Sequence, residues 1–292
     1  MTGALRSPIV RKAPAKLNLY LHVTGKRPDG YHLLDSLVAF ATIGDELQAA
    51  PADRLSLTAE GPFSAKLDGP PGENLVWRAA ERLAAHLGRP PEAALRLIKY
   101  LPVASGIGGG SSDAAATLNA LCALWEVSPE AEALAKIGLA LGADVPVCLN
   151  GKGAWLGGIG EEVLPAPPLP SAPLVLVNPG IGLPTPAVFK ARHGEFSPPN
   201  RFTQAPRNTE ELAELLAHRR NDLTEAAISL VPSIAEVIER LARADGALIA
   251  RMSGSGATCF ALFGTAAQAQ EAARRIAEER SSWWAAAGNL LS

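Results

Sequence analysis

A glycine-rich run near the middle of the chain constrains the fold more than any other feature. Residues 101–113 have the sequence LPVASGIGGGSSD and lead into an alanine-rich stretch. Glycine allows the backbone to adopt positive φ and to approach a ligand closely. A helix start presents free N–H groups and the positive end of the helix dipole. The run therefore predicts an anion site at a helix N-terminus, suited to a phosphate chain.

The candidate phosphate-binding residues all lie in this run: Pro102, Ser105, Gly106, Gly108, Gly109, Gly110, Ser111 and Ser112. The run has no lysine in Gly-x-x-x-x-Gly-Lys-Ser/Thr spacing, and it does not satisfy Gly-x-Gly-x-x-Gly. A flexible linker, followed by an ordinary helix that the two serines cap, is the structural alternative.

The remaining pattern mixes strands and helices without regular alternation, which predicts an α+β fold rather than a doubly wound sheet. Residues 15–24 alternate between apolar and polar side chains, as in a half-buried strand. Asn74 is a predicted N-cap for a helix that ends near residue 87. Further strands are expected at 33–42, 55–59, 94–100 and 174–177, helices at 111–125, at 129–141 and after 265, and a strand-turn-strand unit at 247–263. A proline-rich stretch at 165–173 places the predicted domain boundary, giving domains 1–165 and 166–292.

Composition excludes several classes of protein. Of the 292 residues, 48% are hydrophobic and 19% are charged, which is typical of a globular protein. A net charge of −2 provides no basic field for nucleic acid. No cysteine pair has zinc-ligand spacing, so no metal-ligating residue is identified. The longest charge-free stretch carries eight prolines, and the N-terminus has no apolar signal segment, so we expect a cytoplasmic protein without membrane or nucleic-acid partners.

The glycine run resembles the phosphate loop of the kinase superfamily named for galactokinase, homoserine kinase, mevalonate kinase and phosphomevalonate kinase. Its triple glycine and Ser-Ser-Asp are similar to the diphosphocytidyl-methylerythritol kinase branch of that superfamily. Four more segments agree in order: AKLNL at 15–19, DGYHLL at 29–34, GADVP at 142–146 and SGSGA at 253–257. The resemblance implies an N-terminal domain like ribosomal protein S5 domain 2, a ferredoxin-like C-terminal domain, and an active site in the cleft between them.

The resemblance also implies an activity. The enzyme would transfer the γ-phosphoryl group of ATP, with Mg²⁺, to the 2-hydroxyl of 4-diphosphocytidyl-2-C-methyl-D-erythritol, in non-mevalonate isoprenoid precursor synthesis. We expect a monomer or a weak homodimer. Homoserine, mevalonate or a sugar is the alternative acceptor, although Tyr31 and His32 argue against acceptors that have no base to stack. A nucleotide-binding protein without catalysis is the alternative from another class.

Two charged residues are the catalytic candidates. The resemblance makes Asp144 the base for the acceptor hydroxyl and places Lys16 beside it, where the ammonium would keep the carboxylate ionised. From the residues alone, Asp144 could equally be a turn-forming aspartate, and Lys16 could lie on the exposed face of a half-buried strand.

The remaining candidates would bind the acceptor. The resemblance implies that Tyr31 and Phe189 clamp a cytosine ring and that His32 recognises its edge by hydrogen bonds. It adds Asn18 beside Lys16, and a closing loop at Gly254, Ser255 and Gly256. The alternatives are a surface tyrosine, a core phenylalanine and a hairpin turn. Residues 195–208 match no motif and are expected to form a mobile surface loop, and Asn221-Asp222 is expected to cap a helix.

Overall fold

Two long strands, β1 (Ile9–Lys26) and β2 (His32–Ala50), form a pair near the start of the chain. The computed structural model describes residues 7–67 and 69–292, which divide into two units. The first unit contains the described residues up to Pro14, Gly44–Val103 and Gly109–Asn150, and the second contains Ala15–Ile43, Ala104–Gly108 and Gly151–Ser292. These units interleave along the chain, whereas the predicted domain division is a single cut at residue 165, and that division stays a prediction.

In its described residues, the first unit combines a short sheet with four α-helices. The C-terminal part of β2 pairs antiparallel with β4 (Ala94–Ile98), and β4 pairs in parallel with β3 (Ser56–Glu60). The helices are α1 (Leu75–His86), α2 (Gly109–Leu124), α3 (Ala131–Leu139) and α4 (Val145–Asn150). Asn74 caps α1 as predicted, because its Oδ1 accepts the Val76 N–H at 2.9 Å. The apolar side chains of α1 recur at helical spacing and are buried, so this face holds the helix in the core.

The second unit contains a four-stranded antiparallel sheet with the order β10 (Trp284–Asn289), β7 (Pro173–Asn178), β9 (Cys259–Phe263) and β8 (Ala247–Met252). Helix α8 (Ser233–Ala242) precedes β8, and α9 (Ala266–Glu279) connects β9 to β10. This β-α-β-β-α-β arrangement is ferredoxin-like and confirms the predicted α+β class. This unit has three further helices, α5 (Thr185–Ala191), α6 (Thr209–Ala217) and α7 (Thr224–Leu230). It also contains β5 (Ala154–Gly157), which pairs with the N-terminal part of β2, and β6 (Glu162–Pro165), which pairs with β5.

Strand β1 alternates as predicted, but the expectation that it is half-buried is wrong. Its polar side is covered as completely as its apolar side, with exposed fractions of 5% for Lys16, 3% for Asn18 and 5% for His22. The cover is itself polar: the hydroxyl of Tyr20 donates to Asp35 at 2.8 Å, and a ring nitrogen of His22 lies 3.1 Å from the Pro198 carbonyl oxygen. Polar covering groups satisfy the strand's side chains, so an alternating pattern does not reveal that both faces are buried.

The segment from Glu195 to Asn208 is not the free surface loop that the sequence predicts. The Ser197 N–H donates to the Val23 carbonyl oxygen at 3.0 Å. The Asn200 N–H and the Arg201 guanidinium donate to the two oxygens of Asp35 at 2.8 and 2.6 Å. These bonds hold the segment against β1 and β2, with the Asp35 carboxylate as its main anchor.

Among the described residues, no helix is both long enough and apolar enough to cross a lipid bilayer.

Candidate active site

The predicted phosphate-binding helix start is present in the first unit. Gly109 and Gly110 form the beginning of α2, so the helix starts two residues earlier than the sequence pattern predicts. The first turn of a helix carries N–H groups that have no intrahelical acceptor. Gly110 is exposed and Ser111 is partly exposed, so these N–H groups lie at an accessible surface.

The two serines of this turn differ in their surroundings. Ser112 is buried, and its hydroxyl donates to the Pro14 carbonyl oxygen at 2.7 Å. That bond ties α2 to β1, and it leaves the Ser112 oxygen only as an acceptor. Ser111 lies on the side of the 142–146 segment, because a Cβ built on Gly142 would be 3.9 Å from the Ser111 Oγ.

Asp144 lies in the turn that leads into α4. The Val145 N–H donates to the Gly142 carbonyl oxygen at 3.1 Å, and the Asp144 carbonyl oxygen accepts the Cys148 N–H at 3.2 Å. Its side chain is partly exposed. Asp144 therefore does form a turn, as the structural alternative expected, and the same turn presents its carboxylate near the surface in the unit that contains Ser111.

In the second unit, two glycine runs that are about 150 residues apart in sequence come into direct contact. A Cβ on Gly106 would lie only 2.2 Å from the Gly256 carbonyl oxygen, and the Thr258 N–H donates to the Ser105 carbonyl oxygen at 3.2 Å. Gly106 and Gly256 both have positive φ. The close approach leaves room only for glycine at Gly106, whereas at Gly256 an added Cβ would lie 2.7 Å from the Met252 Sδ.

Lys16 lies against the same glycine-rich segment. Its N–H donates to the Ile107 carbonyl oxygen at 2.9 Å, and a Cβ on Gly108 would be 3.1 Å from the Lys16 Cβ. The stem of the lysine is therefore packed along residues 107–108. The structural alternative, in which Lys16 lies on an exposed strand face, is wrong because the residue is buried.

Asn18 is oriented by hydrogen bonds from both sides. Its side-chain Nδ2 donates to the Ser36 Oγ at 2.8 Å, and Ser36 donates in turn to the Tyr20 carbonyl oxygen at 2.5 Å. The Asn18 backbone N–H donates to the Ser253 Oγ at 3.0 Å. Its Oδ1 would be 3.2 Å from a Cβ on Gly254, so the acceptor end of the amide faces the 253–256 loop.

Asn221 contributes to the site in a way that the sequence did not predict. We expected it only to cap a helix, but the N-cap residue of α7 is Leu223, without a capping side chain. The Asn221 Oδ1 instead accepts the Leu223 N–H at 2.9 Å, in the turn before that helix. Its Nδ2 also donates to the carbonyl oxygens of Met252 and Gly254, at 2.9 and 2.8 Å. Asn221 therefore fixes the loop that carries Gly254, Ser255 and Gly256, and nothing in its local sequence distinguishes this role from capping.

The aromatic candidates lie near the β1–β2 turn. Tyr31 is 60% exposed, and its N–H donates to the Asp29 carboxylate at 3.3 Å. The His32 ring stacks on Phe189 with 5.1 Å between centroids and 25° between planes. Phe189 belongs to α5, whose first residue, Thr185, shares a hydroxyl hydrogen bond of 2.8 Å with Ser255. The turn, α5 and the 253–256 loop are thus parts of one arrangement.

The surroundings of His32 favour its neutral form. Burial lowers its pKa from the ordinary value, and the nearby positive charges of Lys26 and Arg192 lower it further. A neutral imidazole offers one donor and one acceptor, which is the pair of groups needed to recognise the edge of a base.

In the described parts of the chain, 7–67 and 69–292, no group of three or more His, Cys, Asp or Glu residues could hold a metal ion. The structure brings Lys16, Asn18, residues 105–108 and the 254–256 loop together in the second unit. It places Gly109 to Ser112 and Asp144 in the first unit.

Two family models match this chain. Residues 74–152 match the family model for the GHMP kinases N-terminal domain, and residues 203–281 match that for the GHMP kinases C-terminal domain. The chain is 54% identical over 281 residues to a 4-diphosphocytidyl-2-C-methyl-D-erythritol kinase of Paramagnetospirillum magneticum, which covers 96% of this chain and 98% of that protein.

Solved structures extend the comparison to the fold. A crystal structure of 4-(cytidine 5'-diphospho)-2C-methyl-D-erythritol kinase is 37% identical, with a TM-score of 0.80 over 97% of this chain and 99% of that chain. A homoserine kinase from Cytophaga hutchinsonii is only 17% identical, with a TM-score of 0.70 over 100% and 99% of the two chains, and shows that the fold is shared. The chain belongs to the GHMP kinase family, in the branch formed by the 4-diphosphocytidyl-2-C-methyl-D-erythritol kinases.

Proposed function

We propose that this protein is an ATP-dependent kinase that phosphorylates the 2-hydroxyl of 4-diphosphocytidyl-2-C-methyl-D-erythritol, a step in isoprenoid precursor synthesis. The observation that carries the proposal is the clustering of residues that match this branch in particular. Asn18 on β1, Tyr31 and His32 at the β1–β2 turn, and Phe189 on α5 all lie in one unit. The near full-length identity of 54% to a kinase of that name supports the choice of acceptor.

The residues at the start of α2 fit a triphosphate. Gly106 and Gly108 have positive φ, and the Gly109-Gly110 start of α2 presents backbone N–H groups without side chains in front of them. Bound Mg²⁺ would neutralise charge on the phosphate oxygens, and Ser111 offers a hydroxyl oxygen of the kind that this ion accepts. The protein's own part in this region is to supply preorganised N–H donors.

Asp144 would orient the acceptor hydroxyl and take its proton, while Lys16 would offset the negative charge that develops during transfer. The pairing of these two residues stays a prediction of the family resemblance. The oriented Oδ1 of Asn18 adds an acceptor for a second hydroxyl of the substrate. The predicted cytoplasmic location, and the predicted monomer or weak homodimer, also stay predictions.

The first experiment is an assay of ADP release from the purified protein with Mg²⁺-ATP. The cytidylyl acceptor is compared with homoserine, mevalonate and galactose at equal concentrations. We expect release with the cytidylyl acceptor alone. Release with one of the other acceptors would retain the kinase activity and reject the acceptor, whereas no release with any acceptor would reject the proposal.

Asp144→Asn tests the chemistry within that assay. Asparagine keeps the shape of the aspartate side chain but lacks the carboxylate that would take the proton. Turnover should therefore fall by about 10²- to 10⁴-fold while ATP binding is retained. Near-normal turnover would remove Asp144 from the mechanism.

A further inference from the structure

A cluster of three buried charges lies beside the glycine-rich run and has no part in the proposed chemistry. Lys99 follows β4, Asp45 lies on β2 and Asp113 lies in α2. Their exposed fractions are 2%, 0% and 3%. The Lys99 ammonium donates to the Asp45 Oδ2 and to the Asp113 Oδ2, the latter at 2.8 Å.

The cluster touches the chain at both ends of the glycine-rich run. The Asp45 Oδ1 accepts the N–H groups of Tyr100 and Leu101, at 2.6 and 2.8 Å, immediately before Pro102. At the other end, the Lys99 Nζ lies 3.0 Å from the position of a Cβ on Gly109, the first residue of α2. Asp113 follows four residues later in the same helix, so one ammonium group ties the strand before the loop to the helix after it.

Stability alone does not account for this arrangement. Buried ion pairs cost so much solvation energy that apolar replacements are often as stable. Here one ammonium faces two carboxylates, and the Asp113 Oδ1 is buried without a hydrogen-bond partner. Burial raises the pKa of Asp113, against the opposing effect of Lys99 and with a further contribution from Asp45. Burial lowers the pKa of Lys99, but the two carboxylates outweigh it and the net shift is upward.

We propose that Lys99, Asp45 and Asp113 form a positioning cluster, which fixes the two ends of the glycine-rich loop so that the N–H groups at the start of α2 are preorganised for the triphosphate of ATP. The inference rests on the proposed function in that it assumes ATP as the ligand. These are positioning residues, because their bonds are to one another and to the backbone. A cluster with this role sets the affinity for ATP and leaves the affinity for the acceptor unchanged.

The test compares Asp113→Ala with Asp113→Asn. Alanine removes one of the two carboxylates that hold Lys99, whereas asparagine retains an oxygen that accepts the Lys99 N–H. We expect ATP to bind about tenfold more weakly to Asp113→Ala and within about twofold of wild type to Asp113→Asn. Binding of ATP to the whole protein is measured by titration calorimetry without acceptor, and the KM of each substrate is measured separately.

Leu83→Ala is the matched control for stability. Leu83 is buried on α1 in the same unit and makes no bond to the cluster, so its truncation should lower Tm without weakening ATP binding. If Asp113→Ala does not fold, Asp45→Asn is measured in its place, since it retains an acceptor for the two backbone N–H groups but presents an amide to Lys99. The same loss of ATP affinity is expected.

The outcomes separate the two proposals. If wild type binds ATP and Asp113→Ala binds it as tightly as wild type does, the positioning role is wrong and the proposed kinase function stands. A parallel rise in the KM of both substrates would also overturn the positioning role, as would an equal loss of affinity in Leu83→Ala. If wild type does not bind ATP, both proposals fail together.

Discussion

Tyr31 shows what a single residue contributes to the proposed acceptor site. Its ring is more than half exposed, although it follows directly on a turn held by the Asp29 carboxylate. One exposed aromatic side chain is ordinary on a protein surface. Here it adjoins His32, which is stacked on Phe189 and whose pKa is lowered, so a planar base would find both a stacking surface and hydrogen-bonding groups.

At this residue scale we predict that Tyr31→Ala raises the KM of the cytidylyl acceptor about tenfold or more, because stacking of a base on an aromatic ring contributes ~1–3 kcal/mol. The KM of ATP and the Tm should not change. Steady-state kinetics with each substrate varied in turn checks this, with Tyr31→Phe as the control that keeps the ring. An unchanged acceptor KM in Tyr31→Ala would exclude Tyr31 from the site.

At the scale of elements, the glycine-rich loop depends on its contact with the loop between β8 and β9. Gly106 and Gly256 meet backbone to backbone, and Asn221 holds the second loop through two carbonyl oxygens. Backbone hydrogen bonds and the absence of side chains define this contact. It therefore tolerates no added carbon at Gly106 without a shift of one loop.

The substitution Gly106→Ala tests that contact, and Gly88→Ala is its matched control. Both glycines have similar positive φ, +76° and +64°, but a Cβ on Gly88 would have no neighbour within 4 Å. We expect Gly88→Ala to lower the free energy of unfolding by about 1 kcal/mol and to leave activity unchanged. Gly106→Ala should lower kcat/KM for ATP at least about tenfold. Equal activity in the two variants would show that the loop contact does not shape the ATP site.

At the scale of the whole molecule, the buried cluster makes stability depend on pH. The pKa of Asp113 is raised from 3.8 to about 7 in the folded protein, chiefly by burial. The folded state therefore holds a proton that the unfolded state releases from about pH 4 upward. This contribution to the free energy of unfolding is fully present below about pH 4 and is lost as the pH rises through 7.

Asp113→Asn should remove this dependence. Between pH 6 and 8, the free energy of unfolding of wild type should fall by about 1 kcal/mol relative to that of the variant. Urea unfolding of both proteins at pH 6, 7 and 8 measures the difference. If the free energies of unfolding of the two proteins change with pH in parallel, Asp113 does not titrate in this range.

Local sequence determined much of the architecture of this protein. The cap of α1 at Asn74, the alternation along β1 and the helix after the triple glycine follow from rules that act over a few residues. The ordered segments also indicated the family. A strand that begins at Trp284 was missed, because its small side chains carry no clear alternation and only pairing with β7 defines it.

Tertiary structure alone decided which of these residues act together. The covering of the polar face of β1 by Asp35 and residues 195–208, the contact of Gly106 with Gly256, and the attachment of Asn221 to the 252–254 backbone each join positions far apart in the chain. The same is true of Lys99, whose spacing suggests only the end of a strand. Periodicity and spacing report on neighbours along the chain, whereas burial and hydrogen bonding depend on neighbours in space.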